Sequence, residues 1–143
     1  MNNFMLASAI GASMMLAQVA NAQDALFDGV DAANVSAACG GGDAAACLAA
    51  INLIVANLQA AGLSASELNI QLAALASTLA DVARDNPVAS VLLATSQALQ
   101  AVANTSTDPA QQAAILTLAT AVASGQIPDQ TTVLTSTTPV SGA

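Results

Sequence analysis

The sequence has almost no positive charge. A single basic side chain, Arg84, stands against nine acidic ones, which gives a formal net charge of −8. Such a chain repels nucleic-acid phosphates and anionic membrane surfaces. Trp and Tyr are absent, and the only aromatic residues are Phe4 and Phe27, so there is no platform on which bases could stack. We therefore expect no nucleic acid as a partner.

The same shortages argue against catalysis. The chain has neither histidine nor lysine, the residues that most often transfer protons near neutral pH and form Schiff bases. The glycine run 40–42 lacks the Lys and Ser/Thr of a phosphate-binding loop. Asp81 and Asp85 fall one helical turn apart beside Arg84, an arrangement that fits a pair of acids or a solvated polar face. We expect no enzyme and no cofactor.

Cysteine occurs twice, as Cys39 and Cys47 in the stretch CGGGDAAAC. A zinc site needs four ligands, which a chain without histidine or further cysteines cannot supply. The spacing also differs from the C-x-x-C of redox motifs. We therefore predict a structural disulfide, which forms in oxidising compartments, and no metal ion at these cysteines.

Residues 1–22 have the layout of a secretory signal peptide. An apolar run covers residues 4–17, and Ala20-Asn21-Ala22 matches the A-x-A cleavage pattern. Lys and Arg are missing from its start, so the alternative is an uncleaved N-terminal helix. The apolar run is shorter than the roughly 20 residues of a membrane span. We expect an exported, periplasmic or extracellular protein with no stable membrane span after cleavage.

The next segment, residues 23–42, is an acidic and glycine-rich leader. It places Asp24, Asp28 and Asp31 within eight residues, and carboxylate oxygens are ligands that calcium prefers. Their spacing does not match an EF-hand loop. The three residues are therefore a weak calcium candidate, and the alternative is a flexible acidic leader with a short helix over 31–38.

Residues 43–125 carry repeated signals for helix starts and stops. Four candidate N-caps follow one another at intervals of 21, 22 and 22 residues. They are Asp43, Ser64, Asn86 and Asp108. Ser64 and Glu67 form a capping box, and Gln111 would complete a weaker one in the last helix. The last two caps precede a proline at the first helical position, and Gly62 and Gly125 are placed to end helices.

The apolar residues between these signals have helical spacing. They predict a small, alanine-rich, antiparallel bundle of about four helices, followed by a flexible tail, residues 126–143, rich in Thr, Ser and Pro. The regular interval fits equal helix lengths or a true repeat, although a solenoid generally needs three units. The most apolar stretch, 44–63, is expected to be the most buried helix, and Thr95 is the one polar residue expected on an inward face.

Only 7% of the residues are charged, whereas the surface of a small domain usually has about a quarter to a third. Alanine fills much of the predicted helix surface instead. A general bias of the source toward acidic, alanine-rich proteins would give the same pattern. The sharper hypothesis is an exported, non-catalytic helical protein that associates with itself or with an envelope or extracellular partner. The alternative is a carrier of a small apolar ligand held between its helices.

Overall fold

The computed structural model describes residues 27–129 and 132–133, and all regular structure within these residues is helical. The predicted all-α class is therefore confirmed for this part of the chain. Five helices follow one another, where about four were predicted. They are α1 (Gly29–Gly40), α2 (Ala44–Ala60), α3 (Ala65–Asp85), α4 (Ala89–Thr105) and α5 (Pro109–Ala123). The predicted signal peptide lies outside the described residues.

The additional helix is α1, which is longer than the short leading helix expected from the sequence. The Asp28 carboxylate accepts a hydrogen bond from the backbone of Asp31 at 3.0 Å and so caps its first turn. Its buried side consists of Val35 and Cys39. The apolar pattern predicted too short a helix, because small residues fill most of the other positions of α1.

Most of the predicted helix ends are confirmed. The Asp43 and Asp108 side chains accept backbone N–H groups at the starts of α2 and α5. Ser64 and Glu67 form the complete reciprocal capping box at the start of α3. Gly62 and Gly125 follow the ends of α2 and α5 with φ values of +71° and +75°, a left-handed conformation that favours glycine.

The prediction for Asn86 was wrong, because this residue ends α3 and does not begin α4. Its backbone N–H and its side-chain amide both donate to the carbonyl oxygen of Val82, at 3.1 and 3.3 Å. Pro87 follows, and a residue before proline avoids the helical region. The N-cap of α4 is instead Val88, whose side chain makes no capping hydrogen bond.

Helix α3 packs against α1, α4 and α5, and α2 packs mainly against α4 and α1. Consecutive helices are antiparallel. Contacts also fix the direction of α1 relative to α3: the Phe27 N–H donates to the Gln71 side chain and Gly40 lies next to Val82, so α1 and α3 are parallel. The start of α2 lies beside the start of α4, where Gly42 approaches Ser90.

Helix α4 lies at the centre and contacts the other four helices, whereas α2 and α3, neighbours in sequence, barely touch. This arrangement differs from a simple bundle of four equivalent helices. Small side chains at Ala94, Ala98 and Ala103 are fully buried on α4 and allow its neighbours to approach closely. The residues of α1 and α3 that contact each other are separated in the sequence by about twice the interval between the predicted N-caps.

The expectation that 44–63 is the most buried helix was wrong. Most buried side chains belong to α3 and α4, whereas α2 buries only four. They are Cys47, Ile51, Ile54 and Leu58. Helix α2 packs mainly on α1 and α4 at the edge of the molecule, so much of its surface faces solvent. Among the described residues, no helix combines the length and the apolarity required to cross a membrane.

The beginning of the predicted flexible tail packs against the helices. Ile127 is partly buried against the core, and Val133 is fully buried in it. The Arg84 guanidinium donates to the carbonyl oxygen of Pro128. Residues 130–131 and 134–143 lie outside the described part, and for them the prediction of a flexible tail stays untested.

Candidate functional site

The two cysteines form the predicted disulfide. Cys39 near the end of α1 is bonded to Cys47 in the first turn of α2, with 4.4 Å between their Cα atoms. Both residues are fully buried, and the sulfur of Cys47 lies 3.7 Å from the carbonyl oxygen of Ala94 on α4. The bond therefore sits where three helices meet. It is compatible with an exported protein.

Two of the three calcium candidates lie in the described part of the chain. Asp28 caps α1, and Asp31 follows in the first turn of that helix. Burial and the neighbouring charge of Asp28 raise the pKa of Asp31 above its ordinary value. The third candidate, Asp24, lies outside. Residues 27–129 and 132–133 contain no group of three His, Cys, Asp or Glu side chains that could hold a metal ion.

Asp81 and Asp85 do not form an isolated pair of acids. The Arg84 guanidinium donates to the Asp81 carboxylate and, through its other terminal nitrogen, to the Pro128 carbonyl. The only basic side chain of the protein thus joins α3 to the segment after α5. Asp85 is exposed at the end of α3. This geometry supports a tether between two segments.

Sequence reasoning missed a buried polar cluster where α3 begins and α4 meets α5. The Gln111 side chain donates to the Asn69 carbonyl at 2.6 Å and accepts from the Ser106 hydroxyl at 2.6 Å. The Asn69 side chain donates to Thr107 at 2.9 Å. Gln111 therefore does not complete a capping box as predicted: it turns inward. The sequence feature that could have predicted this cluster was the presence of polar residues at inward positions of the predicted helices.

This polar cluster is a structural clamp. Every buried side-chain nitrogen or oxygen of the described residues has a hydrogen-bond partner. The same holds for Thr95, which is fully buried as predicted but donates to the Val91 carbonyl of its own helix at 2.7 Å. Neighbouring Ser96 donates to Ala119 on α5 at 3.0 Å. The bond of Ser96 joins two helices, whereas that of Thr95 stays within one helix, and both hydroxyls have partners.

Two surface clefts are lined mainly by apolar atoms. The larger, about 260 Å³, lies between α5 and the segment that follows it. Its lining residues are Ala114, Thr117, Leu118, Ala121, Pro128 and Thr132. The smaller, about 110 Å³, is formed at the start of α3 by Leu63, Glu67, Ile70 and Gln71. None of the described residues that line the larger cleft is charged, so this lining suits a small uncharged molecule.

Charge is distributed unevenly over the helices. Helices α2, α4 and α5 contain no charged residue. The charged groups of the described chain lie in α1, in α3 and in the segments that flank the helices. The exposed large apolar side chains are Leu53, Ile70, Val88, Leu93 and Leu116. Three of these five are leucines on the uncharged helices.

The outward side of α2 is uncharged and contains the most exposed of these large apolar side chains. Five exposed residues repeat there with steps of three and four, and we name them the α2 outer face. They are Ala46, Ala49, Leu53, Ala56 and Ala60. Leu53 in the middle is 64% exposed. The flanking residues Asn52, Asn57 and Gln59 are also exposed and uncharged. This pattern is the heptad spacing of a helix-packing seam.

Comparison of the chain with protein-family models, with curated proteins and with solved structures found no match.

Proposed function

We propose that this is an exported, non-catalytic helical protein that acts by association, with itself first and otherwise with an envelope or extracellular protein. The observation that carries the proposal is the α2 outer face, an apolar seam with helix-packing spacing that is exposed in a single copy. Exposed contiguous apolar surface in a protein commonly marks an interaction site.

The distribution of charge supports self-association on this side. Copies that carry a net charge of −8 repel one another wherever their carboxylates approach. Helix α2 brings no carboxylate to a contact, because its 17 residues are all uncharged. Two copies can therefore meet there with little electrostatic cost.

The chemistry of the remaining groups supports a role without catalysis. The cysteines are bonded to each other, and the Glu67 carboxylate is engaged by Ser64. Asp81 is paired with Arg84. The sequence offers no histidine or lysine in their place. The two cysteines, Glu67 and Asp81 thus have structural partners.

Export is proposed on the signal-peptide layout of residues 1–22 and on the disulfide. Cleavage after Ala22 would leave a chain that begins at Gln23. Mass spectrometry of the protein from the extracytoplasmic fraction should give that N-terminus, with both cysteines oxidised. Recovery of the uncleaved chain, or of free thiols, from the cytoplasm would contradict export.

The experiment for self-association is the absolute mass by size-exclusion chromatography with light scattering, over a wide range of protein concentration. Refractive index must give the concentration, because Trp and Tyr are absent. We expect the mass to rise with concentration, and to rise further in salt, which screens carboxylate repulsion. A constant monomer mass at every concentration would refute self-association.

A carrier of a small apolar molecule is the second proposal, and the cleft on α5 favours it. Its volume of about 260 Å³ exceeds the roughly 150 Å³ of an engineered cavity that binds benzene. The cleft lies at the edge of α5, not between helices. Extraction of the purified protein with organic solvent should release a stoichiometric ligand. An extract without one, and no binding of small uncharged probes, would refute it.

A further inference from the structure

The helices divide into two units at the connection between α2 and α3. Helices α1 and α2 pack on each other and are joined by the Cys39–Cys47 disulfide, and we name them the α1–α2 hairpin. Helices α3, α4 and α5 form the three-helix unit, in which each helix contacts the other two. Among the five helices described, α2 and α3 are the consecutive pair with the least contact. We name the connection between them, residues 61–64, the hinge.

The α1–α2 hairpin is held on the three-helix unit by contacts that do not involve the hinge. Helix α2 packs mainly on α4, and α1 packs on α3. The large aliphatic side chains that the hairpin buries are Val35, Ile51, Ile54 and Leu58. At the edges of the contact, the Phe27 N–H donates to the Gln71 side chain and Gly42 approaches Ser90. A hairpin from a second copy could make all of these contacts unchanged.

The hinge reverses the direction of the chain through one glycine with positive φ. Gly62 has a φ of +71°, in the left-handed region that favours glycine. A Cβ added there would meet nothing within 4 Å, so the backbone at Gly62 can turn without displacing a neighbour. An extended hinge of four residues reaches about 13 Å, and none of its residues then needs positive φ.

We propose that two copies of the chain exchange their α1–α2 hairpins. Each hairpin leaves its own three-helix unit, the hinge extends, and the hairpin packs on the unit of the second copy. The surface that receives it is the one that the same hairpin covers in a single copy. Exchange of an identical element is a recurrent route to dimers, and short strained hinges favour it. The inference rests on the proposed self-association and specifies how it occurs, and it leaves the α2 outer face exposed.

The exchange should be slow, because the buried side chains of the hairpin must be exposed before it can move. Local opening of this kind is promoted by mild denaturant. A dimer formed at high concentration in dilute urea should therefore persist after transfer to cold buffer and dilution, and return to monomer when urea is restored. Two intact copies that touch through outer surfaces need no opening. A dimer that dissociates as fast as it is diluted would contradict the exchange.

The first test compares Gly62→Ala with Gly125→Ala, which has a similar φ of +75°. Alanine adds left-handed strain at both positions. At Gly62 the strain is present in the monomer and relieved in the extended hinge, so the dissociation constant of the dimer should fall about tenfold or more. Gly125 follows α5 and keeps its conformation in both states, so this control should stay within about twofold. Far-ultraviolet circular dichroism should show that both variants are folded.

The second test cuts the hinge of the assembled dimer. Gly62 is exposed, and Gly62→Lys adds the same strain together with the only lysine of the chain, after which trypsin can cleave. In the exchanged dimer the two halves are joined only through the hinges, so complete cleavage should halve the mass measured by light scattering. Gly62→Ala, treated in the same way, lacks the site and should keep its mass. Mass spectrometry must show that the bond after Arg84 is intact.

The outcomes separate this inference from the proposed function. A mass that halves on cleavage, with tighter dimers for Gly62→Ala alone, supports the exchange. A dimer that keeps its mass after complete cleavage, or whose dissociation constant is unmoved by Gly62→Ala, overturns the exchange and leaves self-association standing. A protein that stays monomeric at every concentration, as the native chain and as Gly62→Ala after incubation in urea, overturns both.

Discussion

The side-chain amide of Gln111 donates to the backbone carbonyl of Asn69 at 2.6 Å, which joins the start of α5 to the start of α3. Gln111 is almost fully buried, and its amide oxygen accepts from the Ser106 hydroxyl. One side chain thus makes two short hydrogen bonds, one to the carbonyl of Asn69 and one to the hydroxyl of Ser106. The two helices, 42 residues apart at this contact, are held in register by it.

Replacing Gln111 with Leu should destabilise the protein by about 1–3 kcal/mol, because it removes two hydrogen bonds at a buried position, each of which contributes about 0.5–1.5 kcal/mol. In a domain of this size that loss lowers Tm by roughly 4 °C per kcal/mol. Thermal unfolding followed by circular dichroism measures it. The control is Gln112→Leu at the neighbouring, partly exposed position. Equal Tm values for the two variants would contradict the clamp.

The comparison of Gln111 with Asp108 shows what the sequence could and could not predict. Asp108 acts within its own helix turn, and local spacing was enough to place it as a cap. Gln111 stands three residues later and fits a capping box equally well, but its side chain bonds to Asn69, 42 residues distant, and to Ser106 in the preceding loop. Tertiary packing decided its orientation. Local chemistry was predictable, and long-range hydrogen bonding was not.

The same distinction applies to α2 and α4. Both sequences are uncharged and helical, and the high apolar content of the first predicted that it would be the more buried. The order of packing decided otherwise, because α4 lies among four helices and α2 at an edge. The candidate surface could therefore be found only from the structure, although its alanines and Leu53 were visible in the sequence.

Gly42→Ala should be more destabilising than Gly62→Ala. Both glycines have positive φ, +78° and +71°, so both substitutions incur the left-handed strain of roughly 1 kcal/mol. At Gly62 a new Cβ meets open space, whereas at Gly42 it would lie 2.5 Å from the Ser90 hydroxyl oxygen. The difference in their unfolding midpoints in urea isolates this contact.

Ser90→Ala in the Gly42→Ala background should recover part of the loss, since it removes the clashing oxygen. The Ser90 Cβ, 3.0 Å from the added atom, would remain. Equal midpoints for Gly42→Ala and Gly62→Ala would mean that the approach of the 40–42 turn to α4 is not tight.

Opening the Cys39–Cys47 disulfide should lower the free energy of unfolding by about 2.5 kcal/mol, the chain-entropy value for a nine-residue loop. The bond is fully buried, so the protein should be reduced in denaturant and refolded with reductant present. Tm should fall by several degrees. Alkylation and mass spectrometry verify that both thiols are free, and an unchanged Tm in fully reduced protein would refute a stabilising role.

Arg84→Met should loosen the segment after α5 with little loss of global stability. The guanidinium bridges Asp81 and the Pro128 carbonyl, but its side chain is 34% exposed, so solvent screening limits the loss to less than about 1 kcal/mol. Hydrogen exchange should quicken at the Val133 amide, which donates to Asp129. The comparison variant is Arg84→Lys, which keeps the charge but cannot bond to Asp81 and to the Pro128 carbonyl through two nitrogens. If exchange at Val133 is the same in both variants and the native protein, Arg84 is not the tether.

Acid should remove the contribution of the Glu67 carboxylate to the α3 capping box. Hydrogen bonds from the backbone and then the side chain of Ser64 hold the pKa of Glu67 below its ordinary 4.5. A lowered pKa means that the folded protein binds fewer protons than the unfolded chain, so this stabilisation is present above pH 4.5 and is lost as the pH falls through the folded pKa. The pKa of Asp31 is raised, so its effect on stability has the opposite sign. Burial of its charged carboxylate destabilises the fold, and protonation of that carboxylate as the pH falls removes this destabilisation.

Carboxyl-detected NMR titration tests both pKa shifts in one sample. The pKa of Glu67 is expected below 4.5 and that of Asp31 above 3.8. Ser64→Ala is the matched variant, because it removes the hydroxyl and leaves the backbone N–H that is the larger cause. The pKa of Glu67 in this variant should therefore move only part of the way back toward 4.5. A full return would mean that the hydroxyl, not the backbone, stabilises the carboxylate, and no movement would mean that the Ser64 hydroxyl does not bond to the carboxylate in solution.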